Sequence, residues 1–459
     1  MTQDQSRRAF LKRSTALGLA GVATPFVTSL GAIGEAAAAT ATDYKALVCI
    51  FLYGGNDYAN TLPPYDAASY AQYLAARSNI AHTRASLAAT VLTPSVALAG
   101  GRQYAMAPTM GPMAQLFAAG KTAVVLNVGT LVQPTTKAQY SANSVKLPPK
   151  LFSHNDQQSY FQASNPEGAT SGWGGRIGDL FQSGNGSSTL TCINASGNAV
   201  YLTGKTAVQY AISTSGPVAL LNNASSIYGS ATAASTLRSL MTGSSSHLIA
   251  NEHAKVSKRA LDTYAQVNTA LGGAPAANFP LFPTGNSLAD QLKVVARMIS
   301  VSQELGAKRQ VFFVSLGGFD MHDALVANHP KQIGLVADAI KAFYDTTVAL
   351  GIADKVTSFT ASDFGRTLQS NDDGSDHGWG GMHFVTGGAV AGQRFYGTPP
   401  AIGNNTPDDV GQGRLLPTIS VDQYAATLAG WFGVSPGNMA TVLPNIGNYN
   451  PSTWNLGFV

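Results

Sequence analysis

The chain has 459 residues, of which only 11% are Asp, Glu, Lys or Arg, and a formal net charge of +4. That length can bury a large core in one domain or two, while so little charge in a chain rich in Gly, Ser, Thr and Asn leaves no basic footprint for nucleic acid. The only two cysteines, Cys49 and Cys192, allow a disulfide but do not indicate one. Cys49 lies in an apolar run, where a buried free thiol is expected.

At the N-terminus, Ser6 to Lys12 sets Arg7 and Arg8 before Phe10 and Leu11, and a mild apolar stretch follows from Ser14 to Gly34, broken by Gly, Thr, Ser and Pro25. This is the pattern of a twin-arginine export signal. The stretch is too broken for a lasting membrane span, and Ala37, Ala38 and Ala39 supply the small residues a signal peptidase needs. Residues 1–39 are therefore expected to be removed, with the mature chain beginning near Thr40. The twin-arginine machinery is then a partner, and the location is periplasmic or secreted.

The mature chain opens with a continuous apolar run from Ala46 to Tyr53 that empties into Gly54, Gly55, Asn56 and Asp57, the pattern of a buried strand ending in a glycine turn. A helical stretch from Met113 to Ala119 stops at Gly120, and a second strand, Ala123 to Val128, ends at Gly129. The segment from about 187 to 285 is rich in Ser, Thr and Ala, with one predicted helix from Glu252 to Leu271, and is expected to form an insertion or cap. Ser287 to Asp290 resembles a capping box ahead of an apolar stripe at Leu292, Val295, Met298 and Ile299. A third strand, Val311 to Leu316, runs into Gly317, Gly318, Phe319 and Asp320, and a helix carrying Ile333, Val336, Ile340 and Phe343 leads to Gly351. Val356 to Thr360 makes a fourth strand that ends at Ser362 and Asp363. Alternating strands and helices predict an α/β fold, a mostly parallel sheet flanked by helices.

Ligands of such sheets bind beyond the carboxyl ends of the strands, and that is where this chain concentrates its carboxylates and histidines. Asp57, Asp320 with His322, and Asp363 all follow predicted strands, while His377 and His383 lie in or after the glycine-rich run from Asp376 to Gly381. Asp oxygens and His nitrogens suit divalent zinc, manganese, magnesium or calcium. Each has a plainer use: Asp57 can close its turn, Asp320 and His322 can pair locally, and Asp363 can pair with Arg366. His383 fits a structural or supporting role, and His329, before Pro330, fits a loop. Ser153, in the loop after the second strand, offers either a helix cap or a nucleophile beside helix amides that favour anions.

These motifs resemble the "domain of unknown function 1501" family: Gly54 to Asp57, Ser153–His154, Gly317 to His322, Asp363 to Arg366, Asp376 to Gly380, and Val421 to Tyr424 before Trp431 to Gly433. The resemblance covers essentially the whole mature chain and implies an alkaline phosphatase-like fold, in a superfamily of sulfatases, phosphatases and phosphomutases. It also implies Asp57, Asp320, His322, Asp363 and His377 as ligands of one or two divalent ions, Ser153 as nucleophile and Arg366 as the neutraliser of a non-bridging oxygen. The substrate would be a small-molecule or polysaccharide ester of phosphate or sulfate. Phe364 stands where superfamily phosphatases carry a histidine, which removes one ligand from the second site, and Ser153 lacks the surroundings of a formylglycine sulfatase. Two other functions stay open: a non-catalytic envelope binding or assembly protein, and a transferase that modifies an envelope polysaccharide.

Overall fold

The structure is a computed structural model that describes residues 43–220 and 225–459; the expected twin-arginine signal lies outside the described residues. Strands are numbered in chain order: β1 Lys45–Leu52, β2 Thr122–Gly129, β3 Cys192–Asn194, β4 Gln209–Ser213, β5 Gly216–Pro217, β6 Arg309–Leu316, β7 Val356–Ser362, β8 Arg366–Ser370, β9 Ser375–His377, β10 Gly381–Gly387, β11 Arg394–Tyr396 and β12 Ile419–Ser420. Ten of these form one sheet in the order β11-β2-β10-β7-β1-β6-β3-β4-β5, with β12 beside β2, while β8 and β9 make a separate hairpin. β1 runs parallel to both β6 and β7. β10 is antiparallel to β2 and to β7, and β5 to β4. The predicted α/β class, a mostly parallel sheet flanked by helices, is the observed one.

The long apolar runs form the central strands because both faces of the sheet are covered. Along β1, Ala46, Val48, Ile50 and Leu52 face one core, which includes Val295 and Ile299 of the Ser287–Ser300 helix and Ile333, Val336 and Ile340 of the Leu325–Ala349 helix. Leu47, Cys49 and Phe51 face the other, which includes Ile177 of the Trp173–Phe181 helix and Tyr424, Leu428 and Phe432 of the Val421–Phe432 helix. Both cysteines are free and buried, on β1 and β3 with only β6 between them. No described helix is long and apolar enough to cross a membrane.

Several elements differ from the expectations. The cap of the Ser287–Ser300 helix is Asn286, whose side chain accepts from the amides of Leu288 and Ala289; an Asx side chain one residue earlier reaches the orphan donors first. His329 is no loop residue. The Leu325–Ala349 helix runs straight through His329 and Pro330, since its apolar stripe is packed on the sheet and outweighs the local preference against helix before proline. Residues 187–285 supply β3, β4 and β5 to one sheet edge, together with the Ala231–Thr242 and Leu248–Gly272 helices.

Candidate metal centre

The turns after β1, β6 and β7 meet at one edge of the sheet, and the β8–β9 hairpin closes against them. Gly54 makes the meeting possible: its φ is +114°, and a Cβ there would stand 2.3 Å from the Asp320 amide nitrogen, so only glycine lets these two turns touch. Gly374 does the same for the hairpin, where a Cβ would lie 2.2 Å from the His322 carbonyl oxygen. From the other side comes the His154–Ala163 helix, whose first residue reaches into the same space.

Asp320 is at the middle. Arg366, buried at 1% exposure, donates from Nη1 to Asp320 Oδ1 at 2.6 Å and to the Gly54 carbonyl at 3.1 Å, and from Nη2 to the Ser375 carbonyl. Around Asp320 stand three imidazoles. His322 Nε2 lies 3.1 Å and His377 Nε2 3.3 Å from Oδ1, and His154 Nε2 lies 3.3 Å from Oδ2. His322 Nε2 and His377 Nε2 are 3.0 Å apart.

The outer nitrogen of each ring is committed elsewhere. His154 Nδ1 donates to Asp363 Oδ2 at 2.7 Å, His322 Nδ1 to Asp376 Oδ1 at 3.1 Å, and His377 Nδ1 to the Phe152 carbonyl at 2.7 Å. All three partners are acceptors only; a neutral ring that donates to its partner from Nδ1 carries its lone pair on Nε2, facing Asp320. Three lone pairs thus converge on a carboxylate. An acceptor on the far side of each ring is the usual setting of a metal-bound histidine.

Fit to an ion can be judged from two observations. His154 Nε2 is buried and has no hydrogen bond, and one donor atom each from His154, Asp320 and His377 lie within 4.8 Å of one another. Around a tetrahedral ion with bonds near 2.05 Å, ligand atoms stand about 3.3 Å apart, close to the separations seen here. The residues fit a divalent ion.

Burial opposes the charge on Asp320, but the guanidinium of Arg366 outweighs it and holds the carboxyl below its ordinary pKa. The hydrogen bond to Asp363 raises the pKa of His154 against the effect of burial, whereas burial lowers that of His377 against the Phe152 carbonyl. The side chains of Asp320 and His322 remain 44% and 41% exposed, so the cluster opens to solvent on one side.

Among the expected ligands, Asp320, His322 and His377 come together. Asp363 lies behind His154, with Oδ2 taking hydrogen bonds from the Gly54 amide and Gln158 Nε2 as well. Asp57 does not join them. It is buried in a two-pronged ion pair with Arg77, at 2.6 and 2.8 Å, and accepts from the Asn60 amide and Ser375 Oγ. Ser153 occupies the helix N-cap position without bonding the helix amides, and its Oγ donates to Asp156 Oδ2 at 3.0 Å. Arg366 spends its contacts on Asp320 and the turn carbonyls. Phe364 packs its ring against His154 and His377, at centroid distances of 4.9 and 4.8 Å. His383 is in the core against Tyr424 and Phe161. Sequence reasoning gave His154 no role; its signal was a histidine at the first turn of a helix that follows a strand.

The sequence matches the family described as "Protein of unknown function (DUF1501)" over residues 44–438. The chain belongs to the DUF1501 family. Among solved structures, this DUF1501 protein is similar to the lipoteichoic acid synthase LtaP from Listeria monocytogenes, at 9% identity over 91% of this chain and 81% of that one, with a TM-score of 0.33. It is also similar to Ps i-CgsB in complex with k-i-k-neocarrahexaose, at 9% identity over 89% of this chain and 78% of that one, with a TM-score of 0.34. Likeness at this level does not specify shared chemistry. A search of the curated proteins finds no match.

Proposed function

We propose that this protein is an exported, metal-dependent hydrolase of a phosphate or sulfate ester on an alkaline phosphatase-like fold, working at the cluster around Asp320. The observation that carries the reading is the convergence of three Nε2 lone pairs on one solvent-open carboxylate, an arrangement that calls for a cation. When bound, a divalent ion supplies Lewis acidity toward an ester oxygen.

The chain's own groups supply the rest. Ser153, the residue before His154, carries the nucleophile. Its hydroxyl donates to Asp156, which gives that proton a carboxylate to move to as Oγ attacks phosphorus or sulfur; the departing alkoxide takes a proton from water, and a second water hydrolyses the serine ester as Asp156 returns the proton to Oγ. Arg414 suits an anionic substrate. It is held by the His377 carbonyl at 2.7 Å and by the face of Phe152, and no carboxylate pairs with it among the described residues. Phe364 favours a second reading: an aromatic ring against two of the imidazoles leaves room for an ion that only clips the turns of a binding or assembly protein. A transferase would use the same serine and differ only in the acceptor.

Elemental analysis of the purified protein, followed by a screen of aryl phosphate and sulfate esters, separates these. Bound divalent metal with turnover that Ser153→Ala abolishes, while metal content stays unchanged, is the expected result. Full activity in Ser153→Ala removes the nucleophile, and metal without turnover on any ester favours the clip.

A further inference from the structure

We propose that the centre holds a single ion, that His154 is one of its ligands alongside Asp320, His322 and His377, and that Asp363 acts on the ion only through His154. This deepens the proposed function and rests on its metal centre. Three features of the chain carry it.

The first is the buried Nε2 of His154. It has no hydrogen bond, and with the ring proton on Nδ1 the carboxylate oxygen 3.3 Å away cannot supply one, so its lone pair is left for a cation shared with Asp320 and His377. The second is how firmly the ring is held. Asp363 Oδ2 takes the Nδ1 proton and is itself fixed by the Gly54 amide at 3.1 Å and by Gln158 Nε2 at 2.7 Å. Gln158 lies one helical turn after His154 in the same helix, so the element that presents the imidazole also anchors its partner.

The third feature concerns number. Asp57 is saturated by Arg77, Asn60 and Ser375, and the face of the cluster between His154 and His377 is covered by the Phe364 ring, which offers no donor. A second ion would find neither Asp57 free to bind it nor a histidine in the place of Phe364. Three imidazoles and one carboxylate also set the preference among ions: nitrogen-rich sites favour zinc and its transition-metal neighbours over magnesium or calcium.

The test uses the full chain stripped of metal and titrated with zinc, and with cobalt as a coloured stand-in. One equivalent is expected to bind tightly, with magnesium and calcium failing to compete. His154→Ala should weaken zinc binding at least 100-fold and change the cobalt absorption, and Asp363→Asn should weaken it by about 10–100-fold. Two tight equivalents would overturn the single-ion assignment. One equivalent with unchanged affinity and cobalt spectrum in His154→Ala would overturn the ligand while leaving the hydrolase reading intact; no binding by the unaltered protein would remove both. Should His154→Ala fail to fold, long-range ¹H–¹⁵N spectra of the zinc-loaded unaltered protein count the ligands directly. Three imidazoles bound through Nε2 are expected, and two would defeat the assignment.

Discussion

At the scale of single residues, the same type of side chain at the end of two neighbouring strands has taken two different jobs. Asp57 and Asp320 both follow a Gly-Gly turn, but Asp57 is buried against Arg77 while Asp320 is open to solvent. Burial alone would raise the Asp57 pKa; the paired charge and hydrogen bonds of Arg77 overturn that and hold it far below the ordinary value. The stability it contributes is therefore complete above the unfolded carboxylate pKa of about 3.9 and is lost as the pH falls through the lower folded value. Asp57→Asn leaves Arg77 buried without its counter-charge and should cost about 3–5 kcal/mol in chemical denaturation, with metal content per folded chain unchanged. A loss of metal in the folded variant would return Asp57 to the centre. The sequence shows an aspartate after a strand in both cases; the partner that decides between them is the last residue of the Ala67–Arg77 helix, and no local pattern links the two.

At the scale of elements, the turns matter more than the strands they end. The central strands were legible because a run of apolar residues covered on both faces has few other uses. β3 and β5 were not, being three and two residues long and held by their neighbours rather than by a pattern of their own. The cap of the Ser287–Ser300 helix was misplaced by one residue because Asn286 and Ser287 are both good caps. A paired substitution tests how the turns assemble the centre. Gly54→Ala places a methyl group against the Asp320 backbone at a positive φ, so a loss of more than about 1–3 kcal/mol from strain alone is expected, along with weaker metal binding as the Asp320 turn is pushed away. Gly317→Ala, in the turn that carries Asp320, meets nothing within 4 Å and should change both quantities little. Equal effects at the two glycines would mean that the contact between turns does not set the position of Asp320.

At the scale of the whole molecule, the gathering of carboxylates and histidines at the carboxyl edge of the sheet was legible from the alternation of strands and helices, whereas the place of His154 in the cluster and of Asp57 outside it depended on packing between distant segments. The interior also contains ionisable groups outside that cluster. Burial lowers His329 to a pKa of about 4 and His383 to about 3, and raises Asp422 to about 6. The histidines take up protons on unfolding, so their contribution is full above about pH 6.5 and falls as the pH drops toward the folded values; Asp422 acts in the opposite sense and loses stability as the pH rises from about 3.9 to 6. His383→Phe, which keeps a ring against Tyr424, should flatten the acid limb: its stability relative to the unaltered chain should grow by about 1.4 kcal/mol per pH unit below pH 6.5. A constant offset across that range would show that His383 is not the titrating group. The two core thiols have a consequence of another kind. Cys49 and Cys192 are free and buried in the same core, on strands with β6 between them, and any complete unfolding in an oxidising medium releases both at once. Oxidation then outlasts the excursion, so that a brief melt becomes a one-way exit, and the working lifetime of the protein is set by how often it opens rather than by how strongly the folded state is favoured.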